Sequence, residues 1–132
     1  GLLCGITGGT GKGHIARAVL EGVAMQIVDI LSAMSQDSGA SLQELKLDGG
    51  MARNNLMMQF QADMLNVVCV RPRVLETTAL GAAFLAGLGV GLWKDQQAIV
   101  EAWIQERDFR PSMAEEDRAD HVRRWKSALT RV

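Results

Sequence analysis

Cysteine is scarce, and neither sign of charge dominates. The two cysteines, Cys4 and Cys69, stand in apolar runs with no CxxC spacing and no histidine pair nearby. That pattern excludes a zinc site and a disulfide framework and fits a reduced, cytoplasmic setting. Lys and Arg total 14 against 15 Asp and Glu, scattered except for Arg123, Arg124 and Lys126, so a basic face for nucleic acid is missing. No basic start, apolar core and cleavage site follow one another as in a signal peptide, and the longest apolar stretch, residues 79–93, is shorter than the roughly 20 residues of a membrane span. Repeats and low-complexity tracts are absent. So is an initiating methionine, and the chain opens inside what reads as a strand, which leads us to expect a fragment of a longer protein.

What is present is an ordinary folding composition: 48% hydrophobic and 22% charged over 132 residues, enough for one domain with a real core. Short apolar runs at residues 2–6, 42–47 and 67–70 alternate with helical patterns. This alternation predicts an α/β layered domain of three strands with helices packed on the sheet. In the first helical pattern Ile15, Val19, Val23, Ile27 and Leu31 recur at four-residue steps, and Gly39 supplies a left-handed stop. Pro72 cannot donate to a ladder and marks the exit of the third strand. Thr77 or Thr78 is the expected N-cap of the next helix, whose many glycines and alanines call for a close neighbour, each glycine costing about 1 kcal/mol relative to alanine. Further on, residues 95–103 read as a short helix and Phe109-Arg110-Pro111 as an extended connection. Residues 115–131 form an amphipathic helix with Val122, Trp125, Leu129 and Val132 as its apolar seam.

Two glycine-rich loops invite a phosphate-binding reading. The first, residues 7–13, fails the Walker spacing: Ile6 stands where a glycine is needed, and Gly13 follows Lys12 where a hydroxyl is needed. It reads as a flexible connection, and His14 beyond it as a structural residue with no catalytic partner. The second loop is the centre of the chain. Leu45, Lys46 and Leu47 suit a buried parallel strand, Asp48-Gly49-Gly50 a tight turn, and Leu56, Phe60 and Met64 an amphipathic helix. Such a turn leaves unpaired amides at the carboxyl end of a strand, a place where α/β sheets receive phosphorylated ligands. A bare glycine pair is also, commonly, only a turn. Asp48 can orient that turn, hold a magnesium-bound water or cap the helix; Asn54 and Asn55 sit where N-caps belong, Asn55 reading as cap or packing residue.

The wording of these segments resembles the carboxy-terminal half of the FGGY carbohydrate kinase family, over residues 1–125. It includes Gly5-Ile6-Thr7, His14-Ile15 with Arg17-Ala18 and Leu20-Glu21, Asp48-Gly49-Gly50 with Asn54-Asn55, Met58-Gln59-Phe60-Gln61 with Asp63, Arg71-Pro72, Glu76, residues 78–83 and Phe109-Arg110-Pro111. Within the family, Gln59-Phe60-Gln61 and Thr78-Ala79-Leu80-Gly81 are more similar to the glycerol branch than to the xylulose or gluconate branches. The glycine-rich loop at residues 7–13 departs from that pattern.

The resemblance implies a ribonuclease H-like (actin-like ATPase) domain, truncated, occupying residues 1–132. It also implies ATP and Mg2+ as cofactors, with γ-phosphoryl transfer to glycerol or a related polyol, and a homo-oligomer in the full-length enzyme. Cofactor-binding positions carried over are Gly49, Gly50 and Asn54: Gly50 against an α-phosphate, Asn54 against the adenosine. The family's catalytic aspartate and polyol-binding residues fall upstream of Gly1, so no catalytic residue is expected in this chain and it is expected to be inactive alone. Another sugar kinase of the family, of the xylulose type, and a stand-alone nucleotide-binding or interaction module are the alternative readings.

Overall fold

The computed structural model describes residues 1–132, which form five α-helices and a three-stranded sheet, with α2 the helix packed on the strands. The chain order is α1 (Lys12–Ser38), β1 (Glu44–Lys46), a 3-10 turn (Gly50–Arg53), α2 (Asn55–Leu65), β2 (Val68–Pro72), α3 (Thr77–Gly89), α4 (Gln96–Ala102), β3 (Gln105–Phe109) and α5 (Glu115–Leu129). β2 is central, pairing in parallel with β1 (Leu45 opposite Cys69) and antiparallel with β3 (Val70 opposite Asp108).

The strand count agrees with expectation, but one strand lies elsewhere. Residues 2–6 are not a strand: they carry no ladder partner, and Leu2, Leu3 and Ile6 are exposed. An apolar run becomes a strand only where another strand can satisfy its amides. The third strand is instead β3, at residues expected to be only an extended connection. Its Gln-Glu-Arg-Asp-Phe sequence has almost no apolar pattern, because successive side chains on both faces, Gln105, Glu106 and Arg107, are exposed and only Phe109 reaches the core. β1, expected to be buried, is a three-residue edge strand of which only Leu45 is half-buried.

The core forms where α1 and α2 cover the sheet. Ala52, Met57, Met58, Ala62, Cys69 and Phe109 make one cluster, with Leu20, Val23 and Ile27 of α1 packed against it. A second cluster, Ala24, Met25, Phe60 and Met64, is closed by Val122 and Trp125 of α5, as the expected seam requires; Leu129 and Val132 of that seam stay exposed. Gly39, with φ +67°, ends α1 as a left-handed cap whose N–H donates to the Ser35 carbonyl (3.0 Å).

By length and composition alone α1 could cross a bilayer, a test that residues 79–93 fail, since its 27 residues include a window of mean hydropathy 1.4. Its buried residues, Ala24 and Met25, are packed against α2 and α5, and its Asp29 accepts a hydrogen bond from Trp125 Nε1 (2.7 Å), but Ile15 and Val19 of the expected apolar stripe are exposed, as are Ile30 and Met34. α3 has less company. Gly87 is covered by the Trp93 ring, but Leu85, Val90 and Leu92 are more than 70% exposed, and the close neighbour expected for its small residues is not within this chain.

Candidate functional site

The glycine turn leaves β1 in the direction expected and is held on both flanks. Leu47 N–H donates to the Val70 carbonyl (2.9 Å), and two residues later the backbone swings through Gly49 at φ +79°, ψ 175°. That conformation is essentially restricted to glycine. The Gly49 N–H donates to the Leu75 carbonyl (2.9 Å), so this amide is already committed. Gly50 opens the 3-10 turn; its N–H and that of Met51 find no acceptor inside so short a helix. A Cβ placed on Gly50 would meet nothing within 4 Å, which leaves the approach to its amide open.

Asn54 follows as the N-cap of α2, its Oδ1 accepting the Met57 N–H (3.1 Å) and its Nδ2 left for another partner. Asn55 is not the cap. It is the first residue of α2, and its Oδ1 accepts from Arg71 Nη1 (2.9 Å). Asp48 does not cap α2 either: its Oδ2 accepts a hydrogen bond from the Thr77 hydroxyl and ties the turn to the first residue of α3. Neither Thr77 nor Thr78 is the cap of α3, because the N-cap position falls on Glu76, which makes no side-chain cap bond.

Behind the turn lies Arg71, only 6% exposed. Its Nε and Nη2 donate to the two carboxylate oxygens of Glu106 (2.5 and 3.1 Å), and Nη1 donates to the Ala52 carbonyl (2.8 Å) as well as to Asn55. A buried guanidinium is strongly unfavourable unless its donors are paired, and here four of its hydrogen bonds go to protein acceptors. Arg53 and Arg73 border the open recess beside it, together with Leu75.

A second polar cluster closes the far end of α2. Asp63, 7% exposed, collects on one oxygen the N–H groups of Ser112 (2.7 Å) and Met113 (3.2 Å), the Ser112 hydroxyl (3.2 Å) and Gln59 Nε2 (3.0 Å). Gln59 also reaches the Arg110 carbonyl (2.8 Å). Gln59 and Asp63 thus hold the chain between β3 and α5. Gln61, between them in sequence, is wholly buried with neither amide atom hydrogen-bonded in this chain. Cys69 is buried against the same helix, and its thiol is pushed up to about 12, first by burial and then by the nearby Asp63 carboxylate. On α1, His14 Nδ1 accepts the Gly11 N–H (3.1 Å) and Glu21 pairs with Arg17 (2.6 Å), structural uses of both.

A model of the C-terminal domain of the FGGY family of carbohydrate kinases matches residues 1–90. This chain belongs to that family. The glycerol kinase of Deinococcus radiodurans is 56% identical over 132 residues, covering 100% of this chain and 26% of its own length. That of Rhodopirellula baltica is 53% identical over 131 residues, covering 99% and 24%. The chain therefore spans about a quarter of the length of these curated relatives. Among solved structures, a Plasmodium falciparum glycerol kinase with ADP superposes with a TM-score of 0.84 at 35% identity, over 97% of this chain and 26% of that one. A xylulose kinase from Rhodospirillum rubrum, at TM-score 0.74 and 24% identity over 94% and 25%, shares the fold alone. The FGGY kinase fold expected from sequence is thereby established.

In this FGGY domain Gly49, Gly50 and Asn54 share one turn by adjacency in sequence. The structure adds the residues that brace it: Leu75 and Thr77 on one flank, Arg71 with Asn55 and Glu106 on the other. Arg71 left one signal in the sequence, a full charge directly after the apolar run Val67-Val68-Cys69-Val70, which requires a paired partner if the strand is buried. Glu106 and Thr77 left none, since polar residues on short elements look the same whether paired or solvated.

Proposed function

We propose that the chain, residues 1–132, is the carboxy-terminal, nucleotide-binding domain of a glycerol kinase. The intact enzyme transfers the γ-phosphoryl group of ATP to glycerol and releases glycerol 3-phosphate. The observation that carries this reading is sequence identity above one half to glycerol kinases over the whole chain, continuing through β3 and α5 beyond the 90 residues of the family match. The glycine turn fits a nucleotide for physical reasons of its own. Gly50 offers an amide with no side chain in the way, Met51 offers a second, and Asn54 retains its Nδ2 for a polar edge of the adenosine.

Phosphoryl transfer depends mainly on positioning and on stabilising charge. This chain contributes the positioning of the nucleotide. Mg2+ is expected to enter with the phosphates, which suits an ion that keeps most of its water. Glycerol and the base that accepts its hydroxyl proton are assigned to the remainder of the kinase, and the assembled enzyme to a cytoplasmic homo-oligomer.

Gly50→Ala in the intact kinase tests the assignment. Nothing in the fold opposes the added methyl, so the protein folds; the amide N–H is retained, but the methyl occupies the open approach to it, so KM for MgATP rises about tenfold or more, as when an amide–phosphate hydrogen bond is lost. KM for glycerol stays unchanged. A wild-type enzyme without glycerol phosphorylation, or a Gly50→Ala variant with unaltered KM for MgATP, overturns it.

A further inference from the structure

We infer that Arg71 is the positioning residue of the nucleotide turn, fixing from behind where Gly50 and Asn54 stand, and that Glu106 of β3 holds Arg71 in place. The inference rests on the nucleotide reading of that turn. A turn built on two glycines is intrinsically loose, because glycine has the widest choice of backbone conformations. Something must select one of them if amides are to meet a phosphate in a fixed geometry. Leu75 and Thr77 fix the turn at Asp48 and Gly49, and Arg71 provides the selection on the side of Gly50 and Asn54. Its Nη1 holds the Ala52 carbonyl, two residues after Gly50, at 2.8 Å, and Asn55 Oδ1, one residue after Asn54, at 2.9 Å.

The same guanidinium is clamped through Nε and Nη2 by Glu106 (2.5 and 3.1 Å), and it lies 5.3 Å from the Phe109 ring centroid. The turn is thereby fastened to the central strand and, through it, to β3, which the chain reaches 35 residues later in sequence. Only a planar fork can serve these acceptors at once; a lysine ammonium offers one point charge on a flexible stem. Arg71 acts without touching the ligand, since its donors point at protein acceptors.

Steady-state kinetics of the intact kinase, with MgATP and glycerol varied separately, tests this role on Asn55→Ala, Glu106→Gln, Arg71→Lys and the double variant Asn55→Ala/Arg71→Lys. Asn55→Ala is expected to raise KM for MgATP several-fold to about tenfold, with kcat and KM for glycerol within about twofold of wild type. Glu106→Gln gives a smaller rise of the same kind. Because Asn55→Ala and Arg71→Lys break one shared contact, the double variant is no worse than Arg71→Lys alone, a non-additivity that general destabilisation does not produce. Should Arg71→Lys fail to fold, Asn55→Ala and Glu106→Gln, both at exposed positions, carry the test. Unchanged KM for MgATP in these two folded variants, or equal loss for both substrates, overturns the positioning role while leaving the nucleotide turn standing. A wild-type kinase that neither binds MgATP nor phosphorylates glycerol overturns both.

Discussion

Removing the Asp63 carboxylate is expected to loosen the junction between β3 and α5 before it affects anything else. In Asp63→Ala the amides of Ser112 and Met113, the Ser112 hydroxyl and Gln59 Nε2 all lose the oxygen on which they converge. A hydrogen bond to a charged acceptor contributes about 1.5–3 kcal/mol, and an orphaned buried donor costs about 1–3 kcal/mol. Ser112 is exposed and Met113 half-buried, so water replaces part of the loss, and the net expectation is about 2–4 kcal/mol. Asp63→Asn keeps an oxygen but not its charge and should lose about half as much.

Amide hydrogen exchange resolves the effect locally: Ser112 and Met113 should lose at least about thirtyfold of their protection in the alanine variant, the equivalent of roughly 2 kcal/mol, while β2 amides change less. Thermal unfolding should fall in the same order, wild type, then asparagine, then alanine. Wild-type exchange at both amides together with an unshifted unfolding midpoint would refute the idea that this carboxylate anchors α5.

Three further outcomes are expected. Gly49→Ala forces a side chain into φ +79°, ψ 175°, so it should destabilise by about 1–3 kcal/mol in chemical denaturation, whereas Gly50→Ala should not; equal stability of the two variants contradicts the distinct roles given to these glycines. Cys4 is exposed and should be alkylated readily near pH 8, while Cys69, its thiol raised from 9.0 to about 12, should stay unmodified in the native protein. Because the folded state holds that proton more tightly than the unfolded state, the contribution of Cys69 to stability is full below about pH 9 and is lost as pH rises toward 12; Cys69→Ser should flatten this alkaline dependence in pH-jump unfolding. The chain produced by itself should self-associate, since Leu85, Val90 and Leu92 stand more than 70% exposed along and beyond α3, and a monodisperse monomer in light scattering at high concentration would argue against an uncovered apolar face.

Patterns local in sequence were enough for much of this protein. The four-residue apolar steps and Gly39 determine α1 and its end, Asp48-Gly49-Gly50 determines a sharp turn after a parallel strand, and alternation determines an α/β layer, because helix periodicity, left-handed glycine and strand pairing are properties of neighbouring residues. Linked motifs carried the family as well. Non-local pairing was beyond reach. Residues 2–6 are more strand-like in composition than residues 105–109, yet only the latter find a ladder partner, and that choice belongs to the chain as a whole. Most partners of Arg71, Asp48 and Asp63 were equally hidden: apart from Gln59, one helical turn from Asp63, these side chains bond across 16 to 50 residues of sequence, and only folding brings the acceptor and its donors within 3 Å or so of each other.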